Sequence, residues 1–189
     1  MTHEAAPRRA VVIVTSTRAA AGEYEDRTGP VIAAWLAERS FEVAPVVVVA
    51  DGPDVAAALA AAVASSADLV VTTGGTGIGV GDGTADATAA ILDKPLPGFS
   101  EELRRRGAAS SPFSLMSRGV AGIAGSTFIV NLPGSTGGVR DGLELLGEVV
   151  DHVLDQLAGR KHDEHSLDQL AGRKHDEHSF EQLAGGNHG

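Results

Sequence analysis

From residue 10 to residue 157, short apolar runs alternate with stretches of helical periodicity. Residues 10–14 (AVVIV) read as a buried strand. Val31, Ile32, Trp35 and Leu36 recur at helical spacing, with Pro30 in the first turn. A second strand is predicted over 46–49. Val55, Leu59, Ala62 and Val63 mark one face of the next helix. Residues 69–73 form a third strand that runs into Gly74-Gly75. Helices follow over about 84–92 and 98–106, and a strand over 126–132 ends at Pro133-Gly134. Val139, Leu143, Leu146, Val150, Val153 and Leu157 then step by threes and fours, the signature of one long amphipathic helix.

Strands that alternate with helices predict an α/β fold with a parallel sheet covered on both faces. Ligands of such folds sit beyond the carboxyl ends of the strands. Here that edge would carry residues 15–18, Asp51-Gly52, residues 74–83 and residues 133–138, so the glycines gather where a site is expected. Aromatic residues make up only 4% of the chain, so the core must be built from Val, Ala, Leu and Ile. The absence of cysteine excludes disulfides, thiolate metal sites and cysteine nucleophiles. The first apolar run is too short for a signal sequence or a membrane span, and a cytoplasmic protein is expected. A formal net charge of −10 argues against a nucleic-acid surface. It also means that any phosphate ligand must be drawn by local groups rather than by the overall field.

The chain divides into an extension (1–9), a folded domain (10–159) and a tail (160–189). Residues 154–166, LDQLAGRKHDEHS, recur letter for letter over 167–179, and 180–189 is a decayed third copy. The tail beyond residue 159 has too few apolar residues to fold alone and is expected to be disordered. Its His-Asp-Glu-His units could put two histidines on one helical face, as a metal site would, but a solvated acidic tail accounts for the same pattern.

The segment with most chemical content is Thr72-Thr73-Gly74-Gly75-Thr76-Gly77-Ile78-Gly79-Val80-Gly81-Asp82-Gly83-Thr84. It follows a strand and precedes a helix. Glycines let backbone N–H groups converge on an anion, and the next helix adds its positive end. It is neither a Walker loop nor a dinucleotide fingerprint, since no Gly-Lys-Ser/Thr follows and it comes after the third strand. A carboxylate at Asp82 would repel a bound phosphate unless a divalent cation stood between them, and Mg²⁺ suits one or two carboxylates with phosphate oxygens. Asp51 ends the second strand on the same edge and is the candidate second carboxylate. Each aspartate is equally compatible with a turn or helix-cap role. Asn131-Leu132-Pro133-Gly134-Ser135-Thr136-Gly137-Gly138 forms a second glycine-rich strand-to-helix junction. Arg18, Lys94, Arg118 and Arg140 are the basic candidates near a ligand, whereas residues 104–106 suit the end of a helix dipole.

These motifs in this order resemble the MogA/MoaB-type molybdopterin-binding family, shared with domains of gephyrin and plant Cnx proteins. The resemblance spans residues 9–157. It rests on Asp26-Arg27-Thr28-Gly29, the Thr72 to Gly77 segment, Asp82 with Thr84 and Ala87-Thr88, Pro97-Gly98-Phe99 with Glu101 or Glu102, residues 117–122 (SRGVAG), and Asn131 to Ser135. It implies a three-layer α/β/α sandwich with a mostly parallel sheet and a homotrimer. It also implies an enzyme that uses ATP and Mg²⁺ to transfer AMP to the terminal phosphate of molybdopterin, releasing pyrophosphate, in company with other molybdenum cofactor biosynthesis proteins. Asp51 and Asp82 match the family's catalytic and metal-binding carboxylates. Thr73, Gly74, Gly75, Thr76, Gly77, Thr84, Pro97, Gly98, Ser117, Asn131, Pro133, Gly134 and Ser135 match its ligand contacts. The sequence departs from the family pattern at Val80 and Gly81, where Pro and Arg are usual, and at Ala50 and Ala85, where Pro is usual. A non-catalytic molybdopterin-binding module and a trimeric adaptor are the alternative readings.

Overall fold

The computed structural model describes residues 7–159. The tail over 160–189, with its His-Asp-Glu-His units, lies outside the described residues. Within them, β1 (Arg9–Thr15) leads through a short helix α1 (Thr17–Ala20) to α2 (Gly29–Ala37). Two edge segments follow, β2 (Glu42–Val43) and β3 (Val47–Val49), then α3 (Pro53–Ala64) and β4 (Leu69–Thr73). The second half holds α4 (Thr84–Ala89), β5 (Lys94–Pro95), α5 (Pro97–Ala108), a 3-10 turn (Pro112–Met116), β6 (Ala121–Ala124), β7 (Thr127–Leu132) and α6 (Thr136–Leu157).

The strands form one sheet in the order β2-β1-β4-β7-β6-β5, with β3 also paired to β1. Pairings among β1, β2, β3, β4 and β7 are parallel, while β6 runs antiparallel to both β5 and β7. The mostly parallel sheet expected from the motifs is therefore correct, and the antiparallel edge is an addition to it. The predicted strand over 46–49 is shorter by one residue and has a companion, β2. Pro45 separates the two, and the pairing with β1 slips by one residue across it, from Arg9↔Glu42 to Ile13↔Val47. Proline has no N–H for the ladder, so the edge strand breaks there. The periodicity missed β6 because Ala121-Gly122-Ile123-Ala124 carries little strand signal. Gly122 is required at that point, since a Cβ would stand 2.6 Å from the Lys94 carbonyl oxygen across the pair.

Alternation along the strands divides the core in two. Ala10, Val12, Leu69, Val71, Phe128, Val130 and Leu132 face α2, α5 and α6. Ile13, Val70 and Ile129 face α3 and α4 through Val55, Leu59 and Ala62. This is the three-layer sandwich. α6 buries Val139, Leu143, Leu146 and Val150 of the stripe read from its sequence, while Val153 and Leu157 are only partly buried and Leu154, outside that stripe, is buried; Ser135 caps the helix by accepting from the Gly138 N–H. α2 buries Ile32 and Leu36, but Val31, expected on the same face, is 45% exposed. The predicted helix over 84–92 ends at Ala89, because the chain must turn to bring Lys94 and Pro95 against β6.

Leu146 is fully buried on the long helix. Leu146→Ala is expected to lower unfolding free energy by about 2–5 kcal/mol, the range for a buried leucine, measured by urea denaturation with an unchanged slope.

Candidate functional site

The parallel strands β1, β3, β4 and β7 all end at the same edge of the sheet. The chain leaves β1 toward β3 and returns across it to β4, so the strand order reverses between β1 and β4. Ligands of open α/β sheets bind at such a switch point. The tips of β4 and β7 are fastened together there, and the end of β1 packs against them. Gly74 N–H donates to Leu132 O at 3.2 Å, and Thr73 Oγ1 donates to Pro133 O at 2.9 Å. Gly74 has φ +90°, and a Cβ on it would overlap the Thr15 carbonyl oxygen. A Cβ on Gly134 would stand 3.3 Å from Gly74 Cα, so the two glycines let the loops touch.

The next residue, Gly75, is the centre of a polar cluster. Its φ is +61°; a Cβ there would overlap Thr84 Oγ1 and stand 2.5 Å from Asp51 Oδ1 and 3.1 Å from Thr15 Cγ2. Thr15 Oγ1, Asp51 Oδ1 and Thr84 Oγ1 are all buried and have no hydrogen-bond partner. Buried polar atoms are nearly always satisfied, so two orphans at one glycine, Asp51 Oδ1 and Thr84 Oγ1, point to a ligand. Asp82 approaches from the loop above. Its Oδ2 accepts from Gly79 N–H at 2.7 Å, and Cβ atoms on Gly77 or Gly79 would lie 2.7 and 2.8 Å from that oxygen. Burial, and after it the Asp82 charge, push the Asp51 carboxyl above its ordinary value; a hydrogen bond from the Thr17 backbone partly offsets them. Hard oxygen donors beside two carboxylates fit a small divalent cation that keeps places for phosphate oxygens. Asp51, Asp82 and Thr84 are the residues that could hold it.

Two clefts flank the Gly74–Gly134 ridge and share Ser135. One, of about 430 Å³, opens between β1 and β4 and is lined by Ser16, Arg18, Arg27 and Thr28. Its acid, Asp26, is consumed locally, accepting from Thr28 N–H and Oγ1 and from Gly29 N–H. Arg18 and Arg27 lie over the Tyr24 ring at 5.3 and 5.6 Å. Arg27 sits inside a quoted motif but was not among the expected basic candidates; its spacing of nine residues from Arg18 crosses a turn and carries no periodic signal. The other cleft, of about 480 Å³, is lined by Thr76, Gly77, Phe113, Ser117, Pro133 and Ser135.

Of the residues singled out from sequence, Thr73, Gly74, Thr76, Gly77, Ser117, Pro133, Gly134, Ser135 and Arg18 line these walls, while several others have other partners. Asn131 is 2% exposed. Its Nδ2 donates to Thr72 Oγ1 at 2.9 Å and Thr88 Oγ1 at 3.0 Å, while its Oδ1 accepts from Val120 N–H at 3.1 Å. It ties β4, α4 and the 118–120 segment together below the site. Pro97 and Gly98 start α5 at the antiparallel edge and line neither cleft. Lys94 pairs with Ile123, which pairs with Phe128 at the opposite end of β7, so it is not near the ligand edge. Arg140 is exposed on α6. Arg118 faces the glycine loop instead of a cleft: Nε donates to Gly77 O, Nη2 to Asp82 O, and Nη1 to both oxygens of Asp86. Arg104, read as a dipole residue, donates to the carbonyls of Ser117 and Gly119.

The family model described as a probable molybdopterin binding domain matches residues 11–152. The chain belongs to that family. It is 38% identical over 154 residues to a molybdenum cofactor biosynthesis bifunctional protein of Synechococcus elongatus, covering 81% of this chain. The chain spans about half of that longer relative (48%). It is also 38% identical to a molybdopterin adenylyltransferase of Pyrococcus furiosus, over 76% of this chain and 87% of the relative. The solved molybdopterin biosynthesis Mog protein of Mycobacterium ulcerans is 53% identical, with a TM-score of 0.76 over 79% of this chain and 99% of that one.

The raised Asp51 carboxyl has a signed consequence. The folded state holds that proton more tightly than the unfolded chain, so the carboxylate opposes folding once pH rises through its folded value. Asp51→Asn is therefore expected to raise the melting temperature of the unliganded protein at pH 7. The gain should shrink as pH falls toward 3.8, the ordinary aspartate value. A melting temperature at pH 7 that is unchanged or lower would contradict this account.

Proposed function

We propose that this chain catalyses Mg-ATP-dependent adenylylation of molybdopterin, transferring AMP to its terminal phosphate and releasing pyrophosphate. The observation that carries the reading is the pair of partnerless oxygens, Asp51 Oδ1 and Thr84 Oγ1, at Gly75 beside Asp82, with two clefts nearby large enough for separate ligands. The name carried by the Pyrococcus furiosus relative supports it.

The two substrates are both anions, and the chain has a net charge of −10. Arg18 and Arg27 supply positive charge to the first cleft, where Asp26 is already engaged by the α2 N-terminus. Among the described residues neither arginine makes an ion pair. Thr28, Ser135 and the start of α6 add hydroxyl and N–H donors. Asp51, Asp82 and Thr84 present the oxygens that would hold Mg²⁺, which when bound supplies charge to phosphate oxygens. The transfer needs no covalent intermediate: one phosphate oxygen of molybdopterin attacks the α-phosphorus of ATP, and the bond to pyrophosphate breaks. The role of the protein is positioning and charge neutralisation.

The reading includes a homotrimer in the cytoplasm. Phe113, Leu115 and Met116, 80, 54 and 53% exposed, give an assembly an apolar surface to cover. No helix among the described residues is long and apolar enough to cross a membrane. A non-catalytic pterin-binding module is the second reading. It is favoured by the open loop tip, where Val80 is fully exposed and glycine stands at 81.

The test is pyrophosphate release by the full chain from ATP and Mg²⁺, with and without molybdopterin. Molybdopterin-dependent release is expected, and Asp82→Asn should reduce it by roughly a hundredfold or more while the protein stays folded. Tight molybdopterin binding without release would select the binding module instead. Arg18→Gln and Arg27→Gln should each raise KM for ATP several-fold, with kcat changed less; equal KM values would remove these arginines from the binding account.

A further inference from the structure

The glycine loop that carries Asp82 has little to hold it. Between Thr76 and Thr84 it contains four glycines, with Ile78 and Val80 exposed to solvent. Its own contacts are few: Asp82 N–H donates to Gly79 O, Asp82 Oδ2 accepts from Gly79 N–H, and Thr84 N–H donates to Gly75 O. Freely jointed glycines would leave the carboxylate without a fixed position.

Arg118 is the exception. It lies on the 117–119 segment, outside the loop and 36 residues along the chain from Asp82. Its backbone N–H donates to Thr76 O at 2.8 Å. Its side chain then reaches along the loop, Nε to Gly77 O at 2.8 Å and Nη2 to Asp82 O at 2.5 Å. Nη1 meets both oxygens of Asp86 on α4 at 2.9 Å. Four parts of one residue therefore span both ends of the loop and the helix after it. The 117–119 segment is itself anchored: Arg104 of α5 donates to Ser117 O and Gly119 O, and Asn131 holds the adjacent Val120 N–H.

We propose that Arg118 is a positioning residue for the adenylyl transfer: it clamps the Gly77–Asp82 loop so that the Asp82 carboxylate is held over the oxygen cluster of Asp51 and Thr84. This rests on the functional reading above, and it assigns Arg118 to the protein's own loop rather than to a substrate phosphate. All five N–H groups of a guanidinium can be directed at once from a rigid plane, and three separate acceptor groups are used here. A lysine has the charge but no such fork. The clamp also links Ser117, on the wall of the larger cleft, to the carboxylate.

The experiment compares wild type, Arg118→Ala and Arg118→Lys, full chain, by two readouts. The first is amide hydrogen exchange without ligands. In both variants the Gly79 amide is expected to exchange at least about tenfold faster, with the amides of β4 and β7 unchanged. The second is the kcat against KM split in the pyrophosphate-release assay. kcat should fall roughly ten- to a hundredfold in Arg118→Ala, as for a misplaced catalytic group. KM for molybdopterin and ATP should move less than about threefold, and millimolar guanidinium ion should restore part of kcat. Arg118→Lys should recover little of the loss. Gly79 exchange at the wild-type rate in both variants would overturn the clamp. So would a loss confined to KM, which would make Arg118 a substrate contact. A wild-type protein that releases no pyrophosphate overturns the functional reading, and the exchange readout then decides the clamp alone.

Discussion

Two successive glycines, Gly74 and Gly75, leave β4 with φ of +90° and +61°. The volume where their side chains would be is already occupied, by the Thr15 carbonyl in one case and by Thr84 Oγ1 and Asp51 Oδ1 in the other. The rest of the functional edge depends on this exclusion. Because Gly74 has no Cβ, β1, β4 and β7 can end at one level with their loops in contact. Because Gly75 has none, two buried oxygens from separate parts of the chain, Asp51 Oδ1 and Thr84 Oγ1, can face a common point. Any side chain at 75 would separate Asp51 from Thr84, and its backbone would also resist the left-handed conformation.

That arrangement is unfavourable in isolation. A buried polar atom without a partner costs about 1–3 kcal/mol, and burial and the neighbouring carboxylate already oppose the charge on Asp51. The expense is tolerated because the layer beneath is fully satisfied. Asn131 bonds Thr72, Thr88 and the Val120 N–H, and Thr88 Oγ1 donates back to the Thr84 carbonyl. This network fixes α4, and through α4 the hydroxyl of Thr84, without drawing on the atoms that face the site. Asn131 was expected among the ligand contacts, yet its side-chain amide bonds to Thr72, Thr88 and the Val120 N–H of the protein itself. Its place in a ligand-binding motif is explained by what it supports.

The sequence was informative where periodicity and packing agree. α6 was readable because one helix face carries leucines and valines at regular steps, with Val139, Leu143, Leu146 and Val150 buried against the sheet and Val153 and Leu157 partly so. β4 was readable to the residue, because a strand buried on both faces is a continuous apolar run that glycine ends. The antiparallel edge was not readable. β5 is two residues long and β6 is Ala-Gly-Ile-Ala, so their pairing is made by close backbone approach rather than by side chains. The candidate ligand edge was legible as a set of glycines and carboxylates, since the fold rule points to it. The assignments within it were not, because an arginine near a glycine loop reads the same whether it serves a phosphate or the loop's own carbonyls. Arg118 and Arg104 illustrate this: sequence gives each a charge, and only geometry gives it an acceptor.

The division between a rigid floor and a thin loop bears on how ligand and protein stability are linked. The floor atoms Asp51 Oδ1 and Thr84 Oγ1 are buried without a hydrogen-bond partner, and a cation or phosphate that meets them binds the native state alone. Such a ligand stabilises the fold by mass action, by about 2.7 kcal/mol at a hundredfold excess over Kd. Part of that gain offsets the opposition of burial and Asp82 to the Asp51 charge, so the increase in stability on binding and the rise in stability on neutralising Asp51 draw on the same source. The two effects should therefore not add. Once the carboxylate that opposes folding has been removed, the ligand has less to correct and one fewer anchor, and its stabilising effect must shrink.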